Sequence, residues 1–283
     1  MVTLVREAFE RHSLDAEILT VGHQDLPQAV TKAVASDADA VVLGGGDGTL
    51  GAGAAVLVDS EKPLGILPLG TLNHFAKDVG IPLDLDQAIA IIARGQVREV
   101  DVGEVNGRIF LNNSSIGLYP SAVAQREELR HRHGGAKWSA MFTACVDVFR
   151  RYPLLTVTLQ AEGRAVPVTT PFIFVGNNRY EMSLFALGTR TSLQGGELSL
   201  YLARNGGRWG LLRLAGRALL GRLEQDRDFH SVLLPRLEIH TRRRSLRVSL
   251  DGEVVQMTSP IRYSLRPRAL RVLAPAPDAP EDK

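Results

Sequence analysis

The stretch VVLGGGDGTLG, Val41–Gly51, places three consecutive glycines and an aspartate directly behind an apolar segment typical of a β-strand. Glycine loses more conformational freedom on ordering than any other residue, so a cluster of glycines needs a local reason. Either the backbone turns there in a way that side chains forbid, or another group must approach the backbone closely. The residues after the cluster favour a helix, which places the glycines at a strand-to-helix turn.

A second stretch, ILPLGTLNHFAK at Ile66–Lys77, has the same order of strand, glycine turn and helix. Turns that follow parallel strands lie at one edge of the sheet, where ligands bind. N–H groups at the start of a helix are a ready site for phosphate. Thr49 and Thr71 are placed to donate their hydroxyl hydrogens to phosphate oxygens. One such stretch alone is equally well explained as a tight turn, but two of them favour a phosphate site.

Asp47 stands among these predicted phosphate-binding groups. A carboxylate in that position repels a phosphate unless a metal ion or a hydroxyl group lies between them. The aspartate therefore indicates magnesium-nucleotide chemistry rather than simple anion capture.

A second acidic feature is the pair Asp251 and Glu253 in SLDGEVV. Residues two apart share one face of a straight strand, but Gly252 permits a turn that would separate the two carboxylates. Without other information such a pair is more often a turn than a catalyst. A carboxylate can also act as the general base for an attacking hydroxyl.

Up to residue 94 the apolar periodicity alternates between strand and helix, and Gly95 stands where a left-handed helix C-cap is common. Strict alternation predicts an α/β lobe, a parallel sheet with helices on both faces. The predicted helices are 2–12, 27–35, 49–58, 73–79 and 86–94, and the predicted strands are 18–21, 40–43 and 64–67.

From Val97 onward strands dominate, beginning with a hairpin signal at Asn106-Gly107. We predict a β-rich, sandwich-like C-terminal lobe with two helical insertions, at 121–151 and 209–223. The domain boundaries predicted from this change are 1–99 and 100–274, with a proline-rich disordered tail at 275–283. The predicted strands of the second lobe are 154–160, 172–176, 198–202, 237–240, 246–250 and 269–273.

The composition is that of an ordinary globular protein, with 45% hydrophobic and 23% charged residues and a net charge of +2. That charge argues against a nucleic-acid partner. The N-terminus lacks the apolar region of a signal peptide, and the single cysteine, Cys145, precludes an intrachain disulfide. No window approaches the roughly 20 apolar residues of a spanning helix. We expect a cytoplasmic protein with at most peripheral membrane contact.

GGDGT at Gly45–Thr49, followed by PLGTLNHFAKDVGIP and a late SLDGEVV, resembles the diacylglycerol kinase catalytic-domain family, which includes bacterial lipid kinases and sphingosine kinases. The likeness covers nearly the whole chain. GGDGT alone is shared with NAD kinases and phosphofructokinases, but the three motifs together are more specific. The resemblance implies an ATP- and Mg²⁺-dependent lipid kinase of two lobes, with its active site in the cleft between them and its lipid substrate at a membrane surface.

Residue roles are also implied by the resemblance. Glu253 matches the family's proton acceptor, and Asp251 assists it as a catalytic residue. Asp251 and Asp101 match acidic residues that help to order the metal and its waters. The implied ATP-binding residues are Thr20, Gly45, Gly46, Asp47, Gly48, Thr49 and Thr71.

The sequence departs from the family pattern at three places. Family members usually begin with a strand and an Asn-Pro-x-x-G loop over the nucleotide, whereas this sequence begins in the helix that should follow, so we expect either a start assigned too late or weakened ATP binding. Gly195 stands where the family commonly has an aspartate that binds a structural magnesium. His74 replaces an aspartate frequent in the second turn, and we interpret it as a helix-cap residue.

The sequence indicates less clearly which residues contact the lipid that accepts the phosphate. The stretch 209–223 forms a basic amphipathic pattern that either lies on an anionic bilayer or packs on the β-rich lobe with its arginines reaching water. The sequence indicates neither which lipid is phosphorylated nor an oligomeric state.

The sequence leaves three functions open. The first is an ATP-dependent kinase acting on diacylglycerol or a related lipid. The second is an NAD kinase-like enzyme, against which the second turn argues. The third is a lipid- or nucleotide-binding regulatory protein whose kinase activity is weak or lost.

Overall fold

The structure is a computed structural model that describes residues 2–117, 154–182, 187–190, 192–203 and 229–276. The predicted helices 121–151 and 209–223, Cys145 and residues 277–283 of the predicted tail lie outside the described residues. The chain divides into two compact units. Unit 1 comprises residues up to Val102 and from Arg266 onward, and unit 2 comprises Gly103–Leu265.

Unit 1 begins with two helices and continues in the predicted order of strand, helix, strand and helix from residue 41 to residue 79. Its elements are α1 Val2–Arg11, α2 Leu26–Val34, β1 Val41–Gly45, α3 Asp47–Leu57, β2 Leu64–Pro68, α4 His74–Val79, α5 Leu85–Arg94 and the first part of β3 Val97–Val105.

The remaining elements are all strands. They are β4 Arg108–Phe110, β5 Asn113–Gly117, β6 Leu155–Ala161, β7 Arg164–Thr170, β8 Phe172–Asn177, β9 Tyr180–Met182, β10 Leu187–Arg190, β11 Leu198–Ala203, β12 Phe229–Leu234, β13 Arg236–Thr241, β14 Ser245–Leu250, β15 Glu253–Thr258 and β16 Ile261–Leu273.

Parallel strands form the centre of unit 1. β1 pairs with β2 in parallel, with Val41 opposite Leu64, and β16 pairs with β2 in parallel through Val272. All five residues of β2 are buried, as expected for a strand covered on both faces. α5 begins at Asp84, whose side chain accepts from the N–H of Gln87, and ends at Gly95 in the left-handed conformation. The predicted C-cap at Gly95 is therefore confirmed.

The predicted strand at 18–21 does not form. Residues 14–22 are all described and belong to no strand, although half-buried and exposed residues alternate from Leu14 to Leu19 as they do in strands. A β-strand is held by hydrogen bonds to a neighbouring strand, and β1 has only β2 as its partner among the described strands. The alternation of half-buried and exposed side chains is thus present without hydrogen bonds to a neighbouring strand.

Unit 2 is β-rich. One of its sheets has the strand order β12-β11-β8-β5-β14-β15, and a second series pairs β16 with β13, β13 with β6 and β6 with β7. Apolar residues of both series form one core cluster, which includes Ile116, Val175, Ile239 and Tyr263. The predicted sandwich-like second lobe is confirmed by this arrangement.

The division between the units differs from the predicted boundaries. The sequence suggested 1–99 and 100–274, but the chain leaves unit 1 within β3 and returns to it within β16. The return is held by three contacts of unit 1: Val272 pairs with Leu64, the N–H of Asp59 donates to the Ala269 carbonyl over 2.9 Å, and the Asp59 carboxylate pairs with Arg266.

Candidate active site

The glycine turn, Gly44–Gly48, joins β1 to α3. None of its glycines lies in the left-handed region of φ, and Gly46 is extended at φ −92° and ψ −175°. The glycines therefore serve close approach rather than an unusual backbone angle. A Cβ on Gly45 would lie 2.6 Å from the Thr49 side chain. At Gly48, by contrast, the position of a Cβ has no atom of the described chain within 4 Å, apart from the adjacent residues and the backbone of α3 itself.

The glycine turn contacts a second turn, Leu69–Asn73, which joins β2 to α4. A Cβ on Gly70 would lie 2.3 Å from the Cα of Gly46, a distance that no side chain can accommodate. The two turns therefore touch backbone to backbone, which confirms in this unit that the second glycine stretch lies beside the first.

Asp47 ties the two turns together. Its carboxylate accepts hydrogen bonds from the backbone N–H groups of His74 and Phe75, at 3.2 and 3.0 Å. These N–H groups belong to the first turn of α4, where no intrahelical partner is available. The carboxylate thus caps α4 from another part of the chain, which explains how an acid is tolerated beside a predicted phosphate site.

Asn73 holds the second turn in shape, a role that the sequence did not reveal. It adopts the left-handed conformation at φ 51° and is 4% exposed. Its side-chain amide donates to the carbonyls of Pro68 and Gly70, and its Oδ1 accepts from the N–H of Gly70. Asparagine tolerates this conformation and bonds its own neighbouring backbone, which are the two properties required here.

The predicted threonines differ in their surroundings. Thr49 is half-buried beneath Gly45, whereas Thr71 is exposed at the tip of the second turn. Thr20 is exposed in the unpaired segment 14–22. The structure thus brings the GGDGT residues and Thr71 into two adjoining turns, and it gives Thr20 no strand to position it.

Asp101 is buried in β3, with 1% of its surface exposed. Its Oδ1 accepts from the backbone N–H of Arg268 over 2.8 Å, and Arg268 has a positive φ of 52°. The carboxylate therefore supports an unusual backbone conformation in β16.

Asp251 and Gly252 form the two-residue turn between β14 and β15, with Leu250 opposite Glu253. Both turn residues have positive φ, 46° and 92°. This is the conformation that Asp-Gly favours in tight hairpins. The turn predicted at Gly252 is present, and it leaves Glu253 exposed as the first residue of β15.

The Asp251 carboxylate is enclosed by three backbone N–H groups, although the residue as a whole is half-buried. It accepts from Leu111 at 2.7 Å, Asn112 at 2.7 Å and Asn113 at 3.0 Å. Burial raises the pKa of Asp251 to about 6, while the three N–H donors and the charge of Arg190 oppose that rise. The Asp251 N–H in turn donates to the Asn113 carbonyl, so the turn is fixed to β5 from both sides.

Arg190 is a further residue of this site that sequence reasoning missed. Its guanidinium donates to the Leu111 carbonyl over 2.7 Å and to Oδ1 of Asn112 over 3.1 Å, and it lies 5.5 Å from the centre of the Tyr180 ring. No motif surrounds Arg190, and its partners lie 78 and 79 positions away in the chain. Only the fold brings them together.

Oxygen atoms that could contribute to binding a metal ion lie in both units. Among the residues that the structure describes, no group of three or more His, Cys, Asp or Glu side chains is arranged to hold a metal. Near Gly195 the neighbouring oxygen is Oδ1 of Asn178, a neutral amide oxygen that is buried and has no hydrogen-bond partner among the described residues. Asp47 does fit a magnesium ion carried by a nucleotide, since such an ion needs only one or two protein carboxylates.

No helix in the described part of the chain is long and apolar enough to cross a bilayer.

A glycine turn on a parallel strand-helix unit, together with a β-rich unit, is the fold found in solved diacylglycerol kinases, to which this chain is similar. A putative diacylglycerol kinase from Bacillus anthracis is similar with a TM-score of 0.72 at 21% identity, covering 97% of this chain and 92% of the other. A diacylglycerol kinase structure from the same organism gives a TM-score of 0.68 at 20% identity, covering 96% and 88%. The predicted fold class is confirmed.

The sequence relatives give the family. A probable lipid kinase YegS-like protein of Pseudomonas aeruginosa is 32% identical over 257 residues, which is 89% of this chain and 82% of the relative. A protein of the same description from Pseudomonas savastanoi pv. phaseolicola is 32% identical over 294 residues, covering 99% and 85%. The diacylglycerol kinase catalytic domain matches residues 1–105. This chain belongs to the lipid kinase family that carries that domain, as its motifs predict.

Proposed function

We propose that this protein transfers the γ-phosphate of ATP to a hydroxyl of diacylglycerol or a related lipid. The observation that carries the proposal is the pair of adjoining turns in unit 1, Gly44–Gly48 and Leu69–Asn73, locked together by Asp47. Family membership supports a lipid, rather than a nicotinamide nucleotide, as the acceptor.

ATP is bound in unit 1 in this proposal. The N-terminus of α3 offers backbone N–H groups and the positive end of a helix dipole to the phosphates. The open side of Gly48 allows a ligand to approach the backbone there. The hydroxyls of Thr49 and Thr71 add donors, and Thr20 contacts the nucleotide outside the two turns.

Glu253 is the proposed general base in unit 2. Its exposure allows it to meet a hydroxyl substrate, and the fixed Asp251-Gly252 turn limits its freedom. In the reaction the lipid oxygen forms a bond to the γ-phosphorus, the bond from that phosphorus to the oxygen of ADP breaks, and the hydroxyl proton passes to Glu253.

Magnesium bound with ATP would neutralise charge on the transferred phosphoryl group. Asp47 is the carboxylate that we propose for it in unit 1, and Asp101 of the same unit would help to order its waters. Asp251, in unit 2, is proposed as the acidic residue that assists Glu253. Each carboxylate accepts at least one backbone N–H, which fixes its position, and a carboxylate has about four acceptor sites in all.

We further propose that the protein works in the cytoplasm as a peripheral protein on the inner face of the membrane, because its substrate resides in the bilayer. Nucleic acid is not part of this proposal.

The experiment measures ATP binding and phosphate transfer separately. The protein is incubated with ATP, Mg²⁺ and vesicles that contain diacylglycerol, and labelled phosphate in the lipid fraction is counted. A parallel reaction replaces the vesicles with NAD. Transfer to lipid alone supports the proposal, ATP binding without transfer supports a regulatory protein, and transfer to NAD contradicts the lipid assignment.

A further inference from the structure

Arg190 binds the segment that holds the proposed catalytic turn. Its Nη1 donates to the Leu111 carbonyl at 2.7 Å and to the Asn177 carbonyl at 3.5 Å, while Nη2 donates to Oδ1 of Asn112 at 3.1 Å. The planar guanidinium fork thus joins the end of β8 to the segment that leads into β5. The Tyr180 ring beneath it fixes the plane of the fork.

One peptide group connects Arg190 to Asp251. The carbonyl of Leu111 and the N–H of Asn112 belong to the same peptide plane. The carbonyl accepts from Arg190 over 2.7 Å, and the N–H donates to the Asp251 carboxylate over 2.7 Å. A cation at one end and an anion at the other polarise this peptide in the same direction, which strengthens both hydrogen bonds. Arg190 therefore acts on Asp251 through the backbone.

Asp251 is followed by Gly252 and Glu253, so whatever fixes its carboxylate also fixes the start of β15. The carboxylate takes three N–H donors from residues 111–113, and Asn177 adds a side-chain bond of 2.8 Å to the Leu111 carbonyl. Arg190 contributes a positive charge to this network through its hydrogen bonds to Leu111 and Asn112.

We propose that Arg190 is a positioning residue for the Asp251–Glu253 turn, holding the Leu111–Asn113 backbone so that its N–H groups fix the Asp251 carboxylate and, through it, the base Glu253. This inference rests on the proposed lipid kinase function. Arg190 itself touches no substrate in this scheme, so its loss acts on kcat and leaves ATP affinity unchanged.

The kinetic test compares Arg190→Met, Arg190→Lys and the control Arg164→Met, which removes an exposed arginine of the same unit at the start of β7. We expect Arg190→Met to lower kcat at least about tenfold, because a small displacement of a catalytic group from its reactive position greatly lowers the rate. The dissociation constant of ATP stays within about twofold because unit 1 is untouched. Arg190→Lys restores part of kcat through its charge, and Arg164→Met behaves as wild type. An unchanged kcat in Arg190→Met overturns the proposal.

The pathway through Asp251 is tested by a double-variant cycle. If Arg190 acts through Asp251, the double variant Arg190→Met with Asp251→Asn is no slower than Asp251→Asn alone, within about twofold. Effects on kcat that multiply instead show an independent role for Arg190 and overturn the proposal.

Hydrogen exchange gives a test that does not depend on activity. In Arg190→Met, and more weakly in Arg190→Lys, we expect the amides of Leu111, Asn112 and Asn113 to exchange at least about tenfold faster than in the wild type. Amides of β6 keep their wild-type rates, which excludes general unfolding. Unchanged exchange at residues 111–113 overturns the proposal. If the wild type phosphorylates no lipid, the proposed function fails, and the exchange result still decides whether Arg190 holds the turn.

Discussion

At the scale of single residues, the glycines of the two turns have different physical roles. A Cβ on Gly70 would lie 2.3 Å from the backbone of Gly46, whereas the same atom on Gly48 meets open space. Both residues are glycine in the sequence, and only the fold shows that one is required by packing and the other leaves room for a ligand.

This difference predicts opposite effects of alanine on stability. Gly70→Ala should lower the free energy of unfolding by about 1–3 kcal/mol through the forced separation of the turns. Gly48→Ala should leave it unchanged or raise it by up to about 1 kcal/mol, because alanine favours the helix. If phosphate occupies the open space, Gly48→Ala also weakens ATP binding. Denaturant unfolding and ATP titration measure both quantities, and a stable Gly70→Ala would contradict the close contact.

Asp251 predicts a pH dependence with opposite signs for activity and stability. Its folded pKa is about 6, against 3.8 for an ordinary aspartate. Between those values the folded state binds the proton and the unfolded chain does not, so acidification from pH 6 to 4 increases this group's contribution to stability. Protonation also adds a hydrogen to the carboxylate that accepts from three N–H donors. This should loosen the turn that holds Glu253, so kcat should fall below about pH 6.

The value of kcat is measured between about pH 5 and 8, a range that includes the pKa of Asp251. Circular dichroism of the same samples shows whether the protein remains folded. We expect reversible loss of activity below about pH 6 while the fold remains intact. Loss of activity that coincides with unfolding would contradict the assignment to Asp251.

The sequence identified Asp47 and Asp251 as important residues, but not their contacts. Asp47 bonds N–H groups 27 and 28 positions away, and Asp251 bonds N–H groups 138 to 140 positions away. In both cases the neighbouring residues in the sequence predict that the aspartate lies at a turn. The donors it receives depend on which strands the fold places beside it.

At the scale of elements, α4 depends on Asp47 for its N-terminal cap. Asp47→Ala should lower the free energy of unfolding by about 0.5–2 kcal/mol, as loss of a cap does. ATP affinity should fall with it because the two turns are no longer joined.

The matched control is Asp84→Ala, which removes the side-chain cap of α5 in the same unit. It should cause a similar loss of stability and leave ATP affinity unchanged. Calorimetry of unfolding and of ATP binding separates the two effects. Equal ATP affinities in the two variants would contradict a special role for Asp47 at the nucleotide.

Helices and buried strands were predictable, while edge strands were not. The predicted helices of unit 1 agree with α1 to α5 within a few residues. Apolar periodicity is strong in α1, α2 and α5, whereas α3 is apolar on all sides and was placed by the glycine turn before it. β7 was missed because its residues are mostly exposed and include Pro167, which is tolerated on a strand with a single partner. The strand predicted for the apolar run 18–21 does not form, because an apolar pattern cannot make a strand without a neighbouring strand to pair with.

At the scale of the whole chain, the last strand completes the first unit. Residues 270 and 272–274 are at most 4% exposed, and burial of each large apolar side chain contributes about 1.5–3 kcal/mol. No pattern in β16 tells that its two halves belong to different units, because pairing with a strand some 200 residues away leaves no local signal.

A truncation tests this arrangement. A chain that ends at Leu265 should lose ATP binding and the cooperative unfolding of unit 1, because the lost burial is comparable to the whole stability of a domain, about 5–15 kcal/mol. A chain that ends at Ala276 keeps every contact described for β16 and should bind ATP as the full chain does. Full ATP affinity in the shorter chain would contradict the structural role of the returning strand.

The central claim is that Glu253 accepts the proton of a lipid hydroxyl while unit 1 holds ATP. Its most direct test is phosphate transfer to diacylglycerol vesicles by Glu253→Gln, with ATP affinity measured on the same protein. The control is Glu162→Gln, which changes an exposed glutamate in the corresponding two-residue turn between β6 and β7. We predict that Glu253→Gln lowers kcat by about 10²–10⁴-fold with ATP affinity nearly unchanged, and that Glu162→Gln retains full activity. A Glu253→Gln enzyme that transfers phosphate at the wild-type rate would contradict the account.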